Sequence, residues 1–569
     1  MYVKDIRKEF YDIITGERCV IFVNFDLDAI CACKILQTLF KCDNIVYTII
    51  PIKGVTDFKK AYAENCSEVE YFILLNCGGT VDILEVLEPD ERITFFIIDS
   101  HRPIDVCNIY SNKQICVISE SLEDVPDFDD IFRDDSDEED EEHSDPDEHN
   151  SDADADEDDT EDPNSKRQRL IEEKITKRRT KRLWEENRDK LMFEYSQFSY
   201  YGKSIAIILF ELAWRMSKDN SDLLWWAIVG ITEQLIFNKI ENQDYVLACQ
   251  TLQEHVSRLT RARNEQNVYN HLKITYEKDL RLALYRHWTV ESSLKYSVYT
   301  SCQLRLWTLR GEARLFELLA DMGLPLAQTK QNFNAMDLVL RKEFNESIEK
   351  YAQKYAIDNI TYGSFVLQYG YRMKYCASDF VYSILGVLET TGKERNADDC
   401  FLDAMDFVSS FKKDSLDCGI EKAKKILSTI FKLVQYTLDM RLVYVAGPFI
   451  YLEFQEGNSD VSIFSQPHCL SLLAHFTLNA YVAISRSKKT LTLPLICTGP
   501  MDPETHYCVM VGIPPISEDS PKNFFGKAFE KAAANSQTKI DLDYFDTSVV
   551  RILAEDRSKF VDALIALLS

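Results

Sequence analysis

Three short apolar runs in the first hundred residues each end in polar or acidic residues, and this pattern restricts the fold. Residues 19–25 (CVIFVNF) run into Asp26-Leu-Asp28. Residues 71–75 (YFILL) run into Asn76-Cys-Gly-Gly, and residues 93–98 (ITFFII) into Asp99-Ser-His101-Arg-Pro. Short, unbroken apolar runs are those of strands buried on both faces, as in parallel sheets. Further strands are expected at 44–51 and 115–119, with helices at 29–40 and 55–64 between them. The reading is an α/β core with a parallel, doubly wound sheet. Ligands and metals bind at the carboxyl ends of strands in such sheets, which is where Asp26, Asp28, Asp99 and His101 fall.

At 569 residues the chain is long enough for two or three domains. No stretch has the eighteen or so consecutive apolar residues of a membrane span. The opening MYVKDIRKEFYD lacks the apolar core of a signal peptide, so a protein made and kept inside the cell is expected. Sixteen cysteines occur without a CxxC pair; they read as small buried hydrophobes in a reducing compartment. The net charge of −28 is concentrated: residues 134–162 hold 19 Asp or Glu and no Lys or Arg, leaving −9 elsewhere. That balance does not exclude nucleic acid as a partner.

Five segments are expected along the chain. Residues 1–123 form the α/β core. Residues 124–165 are an acidic, low-complexity linker, too poor in apolar residues to fold. In it Ser136, Ser144, Ser151 and Thr160 precede acidic residues, as acidophilic kinase sites do; the alternative is a solubilising tract. Residues 166–235 begin with a long charged helix over 166–190. Its basic residues Lys166, Arg167, Arg169, Lys177, Arg178, Arg179, Lys181 and Arg182 suit nuclear import or nucleic-acid contact. The alternative is a solvated helix neutralised by the acidic tract. Residues 236–355 read as all-helical, with helices expected at 205–217, 223–236, 279–288 and 310–322 across this half. Residues 356–569 read as an α+β domain, with strands at 441–454, 461–465, 481–484, 490–497 and 507–513 and helices at 523–535 and 558–568.

Asp26, Asp28 and Asp99 with the imidazole of His101 are the residue types that hold Mn²⁺ or Mg²⁺. Two such ions would activate water and stabilise the leaving oxygen of a phosphodiester. Spacing alone leaves other roles open: an Asp at a strand-to-helix junction is commonly a helix cap, and Asp-Ser-His-Arg-Pro is commonly a turn.

NFDLDAICACKIL, ILLNCGG and FFIIDSHRP resemble the successive motifs of the DHH phosphoesterase superfamily, whose RecJ branch degrades single-stranded DNA. Along nearly its whole length the chain is similar to a eukaryotic family within that branch, the cell division control protein 45 replication factors. DIRKEFYD, ELAWRMSKD, LLWWAIVG, LADMGLPL, KNFFGKAFEKAA and AEDRSKFVDALIALLS carry this resemblance. It implies a RecJ-like DHH domain, a helical insert for partner docking and a C-terminal DHHA1-like α+β domain. It also shows what is missing. Asn24 stands where the superfamily has His, Asn76 and Gln234 where it has Asp, and Ser100 where it has His; Glu233 lies beside Gln234. Amide and hydroxyl groups are weak ligands, so the resemblance implies no bound metal, no cofactor and no turnover. The rival reading is an active metal-dependent exonuclease on single-stranded DNA. In the C-terminal domain, Lys527 and Lys531 are candidates for phosphate contact and Phe524 or Phe525 for base stacking; the alternative is a core helix with two exposed lysines. The implied partners are the minichromosome maintenance hexamer and the GINS tetramer, which with this family form the CMG helicase. Other replication-fork factors and single-stranded DNA complete that list, with the nucleus as compartment.

Overall fold

The computed structural model describes residues 2–111, 113–119, 125–132, 163–266, 272–369, 373–390, 396–409, 413–454, 463–485, 487–516 and 522–569. They gather into two compact units: Met1–Glu120 with Phe198–Ser569, and Ser121–Gln197.

The first unit opens with strands β1 (Arg18–Asn24), β2 (Val46–Ile52), β3 (Tyr71–Leu75), β4 (Thr94–Ile98), β5 (His101–Arg102) and β6 (Ile115–Val117). Five of them form a wholly parallel sheet in the order β2-β1-β3-β4-β6, while β5 pairs with β7 (Tyr200–Tyr201). The chain leaves β1 to one side for β2 and to the other for β3. The loops after β1 and β3 therefore part and open a crevice, and Asn24–Asp28 and Asn76 sit there. The expected α/β class, with its parallel sheet, is the observed one.

Each face of the sheet is apolar for its own partner. Phe22, Phe72 and Phe95 stack across β1, β3 and β4 at 5.5 and 5.4 Å, with Phe58 of the helix Val55–Asn65 edge-on to Phe22. Ile21, Val23, Ile73 and Phe96 join the helix Leu27–Asp43 in the main core, which also takes Trp225 and Trp226. Helices Ile205–Arg215 and Ser221–Ile236 pack on Leu27–Asp43. Buried side chains of this size contribute about 1.5–3 kcal/mol each. Cys31 and Cys33 are buried on Leu27–Asp43, and all sixteen cysteines are free.

Residues 236–355 are not wholly helical. Strand β8 (Leu272–Leu280) pairs antiparallel with β9 (Thr361–Tyr369), which pairs with β10 (Met373–Cys376). The sequence LKITYEKDL places Leu272, Ile274 and Tyr276 in alternation with the polar Lys273, Thr275 and Glu277, a period-two signal. Residues 279–288, expected as a helix, are the end of β8 and a turn, because Asp279 is drawn inward onto Arg286 and Tyr285. The chain then forms the helix Leu309–Asp321, ended at Gly323 with a φ of 69°.

The C-terminal sheet holds β11 (Tyr444–Ala446), β12 (Phe449–Glu453), β13 (Leu495–Met501), β14 (Tyr507–Ile513), β15 (Ile540–Asp541) and β16 (Val549–Leu553), in the order β11-β12-β13-β14-β16-β15. Residues 481–484, expected as a strand, end the helix Pro467–Ile484. Tyr, Val and Ile favour strands locally, but Leu470, Leu473, Phe476 and Ala480 bury one helical face, and packing overrides propensity. Residues 463–465 and Lys488–Thr492 are helical turns rather than strand. Helices Phe525–Ser536 and Arg557–Leu568 match expectation within two residues.

The second unit contains the helix Pro163–Ser196, roughly 50 Å long at 1.5 Å per residue. Trp184 on it donates from Nε1 to the Asp129 carbonyl of the short helix Phe128–Ile131 at 3.3 Å. Residues 133–162, with Ser136, Ser144, Ser151 and Thr160, lie outside the described residues. Among the described residues no helix is long and apolar enough to cross a membrane.

Candidate functional site

A cleft of about 510 Å³ lies where the β1 and β4 loops face the C-terminal sheet. Asn24, Asp26, His101, Tyr201, Lys239, Glu389, His468 and Asp546 are among the residues that line it. The chain order brings Asp26, Asn76, Asp99 and His101 together as the strand-end pattern predicts.

Each retained carboxylate is already occupied by protein donors. Asp26 caps Leu27–Asp43, its Oδ1 accepting from the Ala29 amide at 2.6 Å. Asn76 Nδ2 reaches both Asp26 oxygens, at 3.3 and 3.1 Å, and Asn24 Nδ2 adds a bond to Oδ2 at 3.1 Å. Asn76 holds a left-handed backbone (φ 52°) that Asn adopts readily, and its Oδ1 accepts from the Ser100 amide at 2.9 Å. Asp28 points away from this group. Its Oδ1 accepts from Ser204 Oγ at 2.6 Å and the Ala206 amide at 3.2 Å, and its Oδ2 from the Ile205 amide at 2.9 Å. It thereby satisfies the start of Ile205–Arg215, and Gly230 is required opposite, where a Cβ would stand 2.5 Å from Asp28 Oδ1. Asp99 accepts from the Gly79 amide at 2.9 Å and the His101 amide at 2.9 Å, and contacts His101 Nδ1 at 2.7 Å. Gln234 is buried and donates to the Gly202 carbonyl at 3.1 Å.

Electrostatics follow this geometry. Burial raises Asp26 above the usual carboxylate range, opposed first by the nearby Lys239 charge. Burial, then the Asp26 charge, pushes Asp28 up to about 6 against its three hydrogen bonds. Burial alone would lift Asp99, but His101 beside it holds it below its ordinary value; Asp99 in turn holds His101 above its own against burial.

Sequence reasoning missed five members of the cleft, Tyr201, Lys239, Glu389, His468 and Asp546. Tyr201 donates to Asp546 Oδ2 at 2.8 Å, and its ring lies 5.2 Å from His101. Asp546 also accepts from the Ser548 amide and hydroxyl at 2.9 and 2.7 Å. Lys239 donates to Glu233 Oε1 at 2.8 Å. Glu389 meets His468 Nδ1 at 2.8 Å. None carries a local signal, because each reaches the cleft only through the tertiary fold.

Two divalent cations do not fit this donor set. Among the described residues, one group of three His, Cys, Asp or Glu ligand atoms lies within 4.8 Å of one another, and it is Asp82, Asp105 and Cys107. There Asp82 and Asp105 cap short helices. No three of Asp26, Asp28, Asp99, His101 and Glu233 converge to that extent.

The other candidates lie elsewhere. Phe524 is half-buried and stacks on Phe525 at 4.6 Å; Phe525 is core and stacks on Phe529. Lys527 pairs with Glu530 at 2.7 Å, and Lys531 is exposed. Lys177, Arg178, Arg179 and Arg182 are exposed on Pro163–Ser196, with Lys181 half-buried. The backbone at Lys166, Arg167 and Arg169 is helical, and their side chains lie outside the described residues.

The CDC45 family model matches residues 19–566. The chain belongs to the CDC45 family. Its mouse and human relatives, each named cell division control protein 45 homolog, are 43% identical across all of both chains. The crystal structure of CDC45 from Entamoeba histolytica aligns over the whole of both chains with a TM-score of 0.71 at 23% identity, a likeness of fold. Membership in this family carries a role in DNA replication.

Proposed function

We propose that this chain is a non-catalytic subunit of the replicative CMG DNA helicase, acting in the initiation and elongation of chromosomal replication in the nucleus. In this reading it braces the minichromosome maintenance ring together with the GINS tetramer and holds single-stranded DNA. Residues 236–355 serve partner docking, and residues 356–569 form the DHHA1-like domain against the DHH-like core. One observation carries the catalytic silence: the Asn76 amide donates to both oxygens of Asp26, so the carboxylate that should hold a metal is consumed by a neighbour. Removing one group that organises transition-state charge costs about 2.7–4 kcal/mol, and four are replaced here.

The test is nucleotide release from 5′-labelled single-stranded DNA with Mn²⁺ or Mg²⁺, beside a His101→Ala control. No release, or equal traces in both proteins, is expected. Release by the native chain that His101→Ala abolishes would overturn the reading in favour of an exonuclease. Failure of the purified chain to join the hexamer and GINS in any nucleotide state would remove the helicase role.

A further inference from the structure

In and around the cleft lie acidic groups from three parts of the chain: the buried Asp26 and Asp99 after β1 and β4, the buried Glu233 in Ser221–Ile236, and the half-buried Asp546 before β16, with Asp26 and Asp546 in the lining itself. Buried carboxylates need compensating charge. In a metal-bearing centre the ions supply it. Lys239 supplies a cation here. Ser221–Ile236 ends at Phe237, the chain turns through a left-handed Asn238 (φ 55°), and the Lys239 amide bonds back to the Gln234 carbonyl at 2.8 Å. This return swings the side chain over the helix end, where a cation is favoured.

The lysine is built in. Glu233, fully buried, takes its ammonium at 2.8 Å, and the side chain is 15% exposed. The ammonium lies 4.8 Å from the Tyr201 ring centroid and 5.6 Å from that of Phe237. Tyr201 carries the contact onward to Asp546 and lies beside His101. Burial alone would lower the lysine, but Glu233 and then Asp26 hold it above its ordinary range. Here Glu233 Oε2 and Gln234 Oε1, both buried, accept no hydrogen bond among the described residues.

We propose that Lys239 is a resident ammonium that stands in for the divalent cations of this cleft, neutralising Asp26 and Glu233 and steadying Tyr201 against Asp546. The inference rests on the catalytically silent reading above and extends it: the site is served by a cation of the chain itself.

The test is Mn²⁺ binding followed by electron paramagnetic resonance, with thermal melting in EDTA and in Mn²⁺, on the full chain. The native protein should melt alike in both and bind Mn²⁺ weakly. Lys239→Met should melt lower in EDTA, recover in Mn²⁺ and bind the ion about tenfold tighter or more, the effect of removing one nearby unit charge. Lys239→Arg should behave as native, and Asp26→Asn added to Lys239→Met should abolish the gained binding. Lys239→Met that melts as native in EDTA, or that binds Mn²⁺ no better than native, overturns the proposal. Should Lys239→Met not fold, Glu233→Gln with Lys239→Met decides. If that pair is as stable as native, Lys239 serves Glu233 alone and the proposal fails. If it is destabilised and Asp26→Asn restores it, the proposal stands. Nuclease activity in the native chain would sink the silent reading without altering these melting results.

Discussion

Two buried charge networks in this chain are built on different terms. Between β8 and the turn after it, Arg286 grips Asp279 with both ends, Nη1 to Oδ2 at 2.9 Å and Nη2 to Oδ1 at 2.8 Å. The Tyr285 hydroxyl and the Leu280 amide complete Asp279 at 2.9 Å each. In the cleft, Glu233 has one oxygen on Lys239, while its other oxygen and the Gln234 oxygen meet no donor among the described residues. The first network is closed and reads as structure. The second leaves two buried acceptors without a donor among the described residues, and such an acceptor costs about 1–3 kcal/mol.

The largest expected effect breaks the closed network. Arg286→Met strands Asp279, 1% exposed, without its partner, and removing one member of a buried pair costs about 3–5 kcal/mol. Urea unfolding should show that loss whether or not Mn²⁺ is present. A loss that Mn²⁺ relieves would mean the two networks do not differ in kind.

Next comes steric closure around Asp28. Gly230→Ala drives a Cβ to 2.5 Å from Asp28 Oδ1 and 2.9 Å from the Ala206 Cβ, and overpacking of this sort costs about 1–3 kcal/mol. A melting temperature equal to native would show that Ser221–Ile236 can move off Leu27–Asp43. The Asp28 role as a helix anchor would then be lost.

The same contrast explains what the sequence disclosed. β1, β3 and β4 were legible because each is an apolar run ending in a polar residue. β8 was obscured by helical neighbours, although Leu272, Ile274 and Tyr276 alternate correctly. Residues 481–484 misled in the other direction, because their strand-forming side chains sit at the end of a helix stabilised by residues upstream. Lys239 and Asp546 were illegible for a deeper reason. Their place in the cleft depends on a left-handed turn at Asn238 and on a strand from the far end of the chain, and neither leaves a spacing to read.

A smaller effect titrates the cleft. His101 faces Asp99, Asp26, Asp546 and the Tyr201 ring, and its folded value lies above the ordinary one of about 6.5. A raised histidine contributes stability that is complete below that ordinary value and is lost as pH rises through the folded value. Asp99, held low, contributes stability above its ordinary value that is lost as pH falls through the folded one. Unfolding free energy should therefore decline from pH ~6.5 upward, with a limiting slope of about 1.4 kcal/mol per pH unit for one proton. His101→Gln should flatten that decline. A slope unchanged by the substitution would place the titrating group elsewhere.

The smallest effect on stability belongs to the exposed charges of Phe525–Ser536. Lys527 meets Glu530 one turn away at 2.7 Å, a pair worth about 0.2–0.5 kcal/mol on a helix surface. Lys527→Ala and Lys531→Ala should each change stability by less than about 0.5 kcal/mol. Their value lies in sharpening the contrast between buried and solvated charge. A lysine that meets a phosphate adds about 0.7 to the salt dependence of single-strand binding, in the slope of log affinity against log salt. Measured on a single-stranded oligonucleotide across a salt series, the double substitution should lower that slope by roughly 1.4 if both lysines touch the backbone. An unchanged slope would leave this helix as core, with Phe525 and Phe529 inward and two lysines in water. Single-strand contact would then have to be sought on other basic surfaces of the chain.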